Sequence, residues 1–124
     1  MSIKGKKLIL SICIPTYNNS LDLIKVVNRI SSDAQVYLTD YEILVCDNNS
    51  EIKHQEILRD FSAPNLKISF NQVNVGFGQN LLNSLRMASG ECILLLGDDD
   101  IPELGQIKEL ILYLKKSNTR KILF

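Results

Sequence analysis

At 124 residues with 45% hydrophobic content, the chain is long enough for one domain with a real core and too apolar for disorder. Its 14 basic and 14 acidic residues cancel, leaving no global pull toward nucleic acid or an anionic membrane, and no apolar run approaches the roughly 20 residues of a transmembrane segment. The three cysteines, an odd number without a CxxC pair, lie inside apolar runs as small hydrophobes, which suits a reducing cytoplasm.

Lys4, Lys6 and Lys7 form the only basic cluster and read as a solvated terminus. Met1 to Pro15 imitates a signal peptide but lacks a small-residue cleavage site and runs into polar Thr16-Tyr17-Asn18. It is read instead as a first strand over Leu8 to Ile14, stopped by Pro15. Asn19 or Ser20 can cap a helix whose buried stripe is Leu23, Ile24, Val27 and Ile30. Glu42 to Cys46 is a second strand, followed by the turn formers Asp47-Asn48-Asn49-Ser50. Ile57, Leu58 and Phe61 mark a second helix ending near Ala63-Pro64, and His54, the single histidine, is placed on its solvated face. Leu66, Ile68 and Phe70 alternate with polar residues as a third strand near an edge. Leu81, Leu82, Leu85 and Ala88 supply the apolar face of a third helix, closed by Ser89-Gly90.

Cys92-Ile93-Leu94-Leu95-Leu96 reads as a strand buried on both faces, running into Gly97-Asp98-Asp99-Asp100-Ile101-Pro102. Pro102 suits the first turn of a helix. Three adjacent acids repel one another unless something positive sits among them, and thiol-free oxygen ligation suits Mg²⁺ or Mn²⁺. The plain alternative is a solvated acidic turn. Leu104, Ile107, Leu110, Ile111 and Leu114 then give a fourth amphipathic helix, and Lys121 to Phe124 begin another strand.

This alternation predicts an α/β, Rossmann-like, mostly parallel sheet with helices on both faces and right-handed crossovers. Ligands of such sheets bind beyond the carboxyl ends of the strands, where Thr16-Tyr17-Asn18, Asp47 to Ser50 and Asp98 to Asp100 all fall. Two phosphate cradles are excluded. No Gly-Lys-Ser/Thr occurs, and the first strand leads into Pro15-Thr16-Tyr17-Asn18 with no glycine. Without a glycine cradle, a diphosphate needs a cation, which the triple Asp can hold. Asp47 could accept hydrogen bonds from a base or ribose, and Tyr17 could stack on a base.

Four ordered stretches then carry a resemblance: Leu10 to Asn18, Glu42 to Ser50, Asn74-Val75-Gly76 with Asn80, and Ala88 to Glu91 leading into Gly97 to Asp100. Together they resemble family 2 glycosyltransferases with the GT-A fold, most of all the bacterial surface-polysaccharide, abequosyltransferase-like branch. The resemblance implies inverting transfer from a nucleotide-diphosphate sugar to a saccharide or lipid-linked saccharide, with Mg²⁺ or Mn²⁺ bridging the diphosphate. It implies that Pro15, Thr16, Tyr17, Asn18, Asp47, Asn74, Gly76, Asn80 and Asp98 line the nucleotide sugar. Asp99 would be the main metal ligand, with Asp98 and Asp100 beside it. Cytoplasmic placement with peripheral membrane association is implied as well.

Two departures from the family pattern stand out. Many members carry Asp-x-Asp-Asp, and Gly97 stands where their first acid would be. Members are also usually much longer, with the acceptor-binding part and the catalytic base following the part seen here. Residues 1–124 are therefore expected to form a single donor-binding domain that is truncated before the acceptor part, self-associates and does not transfer sugar alone. The rival readings are a nucleotide-sugar or metal-binding module without turnover and, more distantly, a receiver-like signalling domain, which would want acids where Thr16 stands.

Overall fold

A computed structural model describes residues 8–117 and the backbone of 122–123. Lys4, Lys6, Lys7, Lys121, Phe124 and the side chains of Ile122 and Leu123 lie outside what it describes. Strands β1 (Leu10–Thr16), β2 (Tyr41–Asp47), β3 (Leu66–Phe70), β4 (Cys92–Leu95) and β5 (Ile122–Leu123) alternate with helices α1 (Ser20–Asp33), α2 (Ile52–Asp60), α3 (Phe77–Arg86) and α4 (Gln106–Lys116). The sheet runs in the order β3-β2-β1-β4-β5, and every pairing is parallel. The expected α/β architecture is thus present, with β3 at an edge. Strand order reverses at β1, so the crevice between the ends of β1 and β4 is the favoured ligand position.

The two sheet faces differ. Leu10, Ile12 and Ile14 of β1 and Tyr41, Ile43 and Val45 of β2 point to one face and are buried there with Leu23, Val26, Val27 and Ile30 of α1, Leu58 of α2, and Ile107, Ile111 and Leu114 of α4. This closed apolar layer is the core. On the other face Ser11, Cys13, Glu42, Leu44 and Cys46 alternate with those residues, and α3 packs across β1 and β2.

That asymmetry accounts for several departures from the sequence reading. The buried stripe of α3 is polar, Asn80 and Ser84, whereas Leu82 is exposed and Leu81 and Leu85 are only half-buried. The helix meets a sheet face carrying hydrogen-bonding groups, and Asn80 Nδ2 donates to the Cys46 carbonyl at 3.0 Å. Strand β4 stops at Leu95, and only Cys92 is fully buried, because α3 stands over β1 and β2 and leaves Ile93 and Leu95 half-open. Pro15 does not end β1, which continues to Thr16 and pairs Pro15 with Cys46 of β2. The Cys13 carbonyl takes the last bond from the β4 side, from Leu96 N at 3.0 Å. Pro15, two residues on, faces the side where β4 has ended, so its missing N–H costs no ladder bond.

Helix ends also differ. Asn19 stands at the N-cap of α1 but makes no side-chain cap, and Ser20, the first helical residue, places its Oγ 2.8 Å from His54 Nδ1. His54 is accordingly half-buried against α1 rather than on a solvated face. Helix α2 ends at Asp60, with Leu58 buried and Ile57 turned outward. Helix α4 begins at Gln106, not at Pro102, and Leu104 is 79% exposed ahead of it. Its start is held from α1: Asp33 accepts from Gly105 N at 2.8 Å and Ile107 N at 3.2 Å. Arg29 of α1 donates to the Pro102 carbonyl at 2.7 Å, so α1 fixes the whole segment after the acids.

Candidate functional site

A cavity of about 590 Å³ opens at the carboxyl ends of β1 and β4. Its walls mix the polar Thr16, Asn48, Asn74, Asn80, Asp98 and Asp99 with the apolar or aromatic Pro15, Tyr17, Phe77, Leu81, Leu95 and Leu96. This is the composition expected of a small-molecule site: a largely apolar concavity with a few convergent polar groups.

Two networks shape it. On the β4 side, Thr16 Oγ1 donates to Asp98 Oδ2 at 2.8 Å, across 82 residues of sequence. That bond ties the acidic turn to the end of β1. The turn itself is tight, closed by Asp100 N donating to the Gly97 carbonyl at 3.2 Å. A Cβ at position 97 would collide with the Asp100 carboxylate and lie 3.4 Å from Asp99 Oδ1. Glycine at position 97 thus leaves room for the Asp100 carboxylate to fold back over the turn.

On the β2 side, asparagines take over. Asn48 Oδ1 accepts from Asn71 Nδ2 at 3.1 Å and Val75 N at 2.9 Å. Asn48 Nδ2 donates to Asn74 Oδ1 at 3.1 Å and to the Gly76 carbonyl at 3.3 Å. Asn71 Nδ2 also donates to Asn80 Oδ1 at 2.8 Å, and Gly76 N to Asn74 Oδ1 at 2.8 Å. Every amide is paired with another amide or the backbone, so the loop 71–76 is fixed to the end of β2 without burying an apolar side chain.

The expected site residues therefore divide. Pro15, Thr16, Tyr17, Asn74, Asn80, Asp98 and Asp99 all line the cavity, and Gly76 belongs to the loop that Asn48 holds. Asp47, Asn18 and Asp100 are not among the lining residues. Asp47 is 0% exposed, with Oδ2 accepting from Ser50 N at 2.9 Å and Oδ1 from Ser50 Oγ at 2.5 Å. Asn18, in the left-handed region at φ 51, joins two loops: Glu51 N donates to its Oδ1 at 2.7 Å and its own N donates to Ser50 Oγ at 2.8 Å. Such a backbone conformation is tolerated by Asn better than by most residues. Sequence reading treated Asn48 as a turn former and gave Asn71, Phe77, Leu95 and Leu96 no part in a site. The available signal was the clustering of asparagines after β2 and β3, all at the strand ends where ligands bind.

At the opposite, amino end of the strands a buried carboxylate holds the approach to β4. Glu42 accepts from Ser11 Oγ at 2.6 Å, Ser89 N at 2.8 Å and Ser89 Oγ at 2.8 Å. Gly90 N donates to Ser11 Oγ at 2.7 Å, and a Cβ at position 90 would sit 2.7 Å from Ser11 N. Only glycine lets the chain pass this close to β1. Burial, and secondarily the charge of Glu42, pushes the Cys13 thiol up to about 12. Burial likewise raises Cys46. Both thiols are inert protonated groups rather than nucleophiles.

Among the described residues no three His, Cys, Asp or Glu side chains converge into a cage able to hold a metal by themselves. Asp98 is turned to Thr16, and Asp100 folds back on Gly97. The donor set still fits Mg²⁺ or Mn²⁺, because Asp98 and Asp99 present carboxylate oxygens to an open cavity and such ions commonly take one or two protein carboxylates plus phosphate and water. No helix among the described residues is long and apolar enough to cross a membrane.

Comparison with known proteins agrees with this geometry. The chain is 32% identical over 97 residues to abequosyltransferase RfbV of Salmonella typhimurium, an alignment covering 75% of this chain and 28% of that protein. Its fold superposes on S. aureus TarS 1–349 in complex with UDP-GlcNAc with a TM-score of 0.76 at 24% identity, covering 88% of this chain and 32% of that one. It also matches the mannosyltransferase PcManGT from Pyrobaculum calidifontis in complex with GDP-Man and Mn²⁺, with a TM-score of 0.64 at 19% identity over 77% of this chain and 28% of that one. The chain thus spans about a third of the length of these relatives. The model of glycosyl transferase family 2 matches residues 11–122, nearly the whole described fold and every element that builds the cavity, and the chain belongs to that family.

Proposed function

We propose that residues 1–124 form the donor-binding domain of an inverting glycosyltransferase of bacterial surface-polysaccharide synthesis, which takes a nucleotide-diphosphate sugar with Mg²⁺ or Mn²⁺. The observation that carries this reading is the cavity at the β1/β4 switch point, where Thr16 anchors Asp98 beside Asp99 and the neutral amides of Asn48, Asn74 and Asn80 stand on the other side. Among the described residues the cavity lining includes two carboxylates and no lysine or arginine. A diphosphate entering it therefore needs a cation of its own.

In this reading Tyr17 offers its ring to the base. Asp99 would be the main ligand for the cation, assisted by Asp98. Asp100, folded back toward Gly97 outside the cavity lining, would support the turn that presents them. The cation when bound would supply charge stabilisation on the leaving diphosphate. Asp98 is held in place for this by Thr16. Asp47 supports base selection from behind the cavity wall, by fixing the turn through Ser50 from which Asn48 projects, and Asn18 locks the neighbouring loop to the same serine. In the transfer, an acceptor hydroxyl oxygen bonds to the anomeric carbon as the bond from that carbon to the diphosphate breaks. The diphosphate leaves with the electron pair. The hydroxyl proton passes to a carboxylate base outside the groups named here. The acceptor is a saccharide or lipid-linked saccharide, and a lipid-linked acceptor would bring the enzyme to the cytoplasmic face of the membrane as a peripheral protein.

Calorimetric titration with UDP, CDP, GDP and dTDP, with and without Mn²⁺, tests the reading. Binding of at least one nucleotide is expected only with the cation. Equal affinity in EDTA would overturn the role given to the acids.

A further inference from the structure

Phe77 is the first residue of α3 and one of the most exposed apolar side chains, 74% open, yet it borders the cavity. It adds nothing to the core, which lies on the opposite sheet face. Nor does its ring hold the loop, because that task falls to the asparagine amides. The Gly76 carbonyl accepts from Asn48 Nδ2 at 3.3 Å and from Asn80 N at 3.1 Å, and Gly76 N donates to Asn74 Oδ1. The backbone on which Phe77 is mounted is thus pinned on the cavity side without using the Phe77 side chain. Its neighbours carry no side chains, and a Cβ at Gly76 or Gly78 would meet nothing within 4 Å. An aromatic ring is therefore presented on a fixed support with open space around it.

We infer that Phe77 is a stacking surface for the nucleotide base, used together with Tyr17. This rests on the nucleotide-binding reading above and extends it to a residue outside the expected set. A base has two apolar faces and a polar edge. Tyr17, 49% exposed, and Phe77 supply aromatic faces to the same cavity, while Asn48 and Asn80, whose amides are already paired, hold the wall beside them and Asn74 lines it as an exposed neutral amide. The acidic turn at Asp98 and Asp99 is unsuited to a base edge rich in acceptors and suited to the cation and diphosphate. Stacking on an aromatic side chain tolerates any base, so Phe77 contributes affinity to all nucleotides without selecting among them.

The chain has no tryptophan, so Phe77→Trp introduces a single indole reporter at the cavity lip. Its emission is expected to be quenched saturably by UMP, CMP and GMP, and not by ribose 5-phosphate or by pyrophosphate with Mn²⁺. In parallel, Phe77→Ala is expected to weaken calorimetric binding of all nucleoside diphosphates about tenfold, with pyrophosphate–Mn²⁺ affinity and thermal unfolding unchanged. Wild-type nucleotide affinity in Phe77→Ala, or equal quenching by ribose 5-phosphate, would overturn this inference and leave the donor-binding reading standing. Failure of the unsubstituted chain to bind any nucleotide with Mn²⁺ would overturn both.

Discussion

The two faces of the sheet do different work with the same strands. Where α1, α2 and α4 cover it, alternate residues of β1 and β2 are buried, and apart from the Tyr41 hydroxyl no polar group intrudes from those strands before Thr16 and Asp47 at their carboxyl ends. Where α3 covers it, the residues between them include Ser11, Glu42 and Cys46, and the facing helix buries Asn80 and Ser84. One face stabilises by removing apolar surface from water, which is non-directional and tolerant of shape. The other relies on hydrogen bonds whose geometry fixes particular loops, and it leaves β4 partly open beside the cavity. A fold that stores most of its stability on one side can keep an open, polar site on the other.

The sharpest way to break that comparison is to damage each face and compare the losses. Ile12→Ala, in the closed layer, is expected to cost about 2–5 kcal/mol in denaturant unfolding, since it opens a cavity in close-packed surroundings. A loss below that range would mean that this face is looser than its burial indicates.

On the other face, Glu42→Gln keeps the volume and removes the charge that accepts from Ser11 and Ser89. Hydrogen bonds to a charged group suggest about 1.5–3 kcal/mol, and the loop at Ser89-Gly90 should exchange its amide hydrogens faster. If Glu42→Gln costs more than Ile12→Ala, the division of labour is the reverse of that described.

At the site, Asp47→Ala is expected to lower nucleotide affinity by an amount worth about 1.5–3 kcal/mol, through loss of the Ser50 turn. Mn²⁺ affinity should stay nearly unchanged, because Asp47 ends a different strand from the acids. A parallel fall in manganese affinity, read by electron paramagnetic resonance, would show that the two ends of the cavity are coupled.

The smallest effect concerns pH. The Cys13 thiol, ordinarily at 9.0, is raised to about 12 in the folded chain, so unfolding favours its ionisation. Its contribution to stability is complete below pH 9 and is lost as pH rises from 9 toward 12. Cys46 is shifted in the same direction. Cys13→Ala should flatten the decline of unfolding free energy across that window relative to the unsubstituted chain. Identical slopes would show that Cys13 is more hydrated than its burial implies.

The order of strands and helices is legible in the residues alone, because apolar periodicity is a local signal that each short strand and helix carries. Of the candidate residues read at the element ends, Thr16, Tyr17, Asn74, Asn80, Asp98 and Asp99 do line one cavity. Tertiary structure decided which face each residue serves. Leu82 and Leu104 look like core from their spacing and are exposed, whereas Asn80 and Ser84 look solvated and are buried. The reason is that burial depends on what packs opposite: α3 meets a polar sheet face, and Asp33 and Arg29 of α1 delay the start of α4 past Pro102. Tertiary structure likewise decided that Asp47 is enclosed while Asn48 reaches the cavity, and that Thr16 grips Asp98. Such pairings join residues tens of positions apart, and no periodicity within a single element records them.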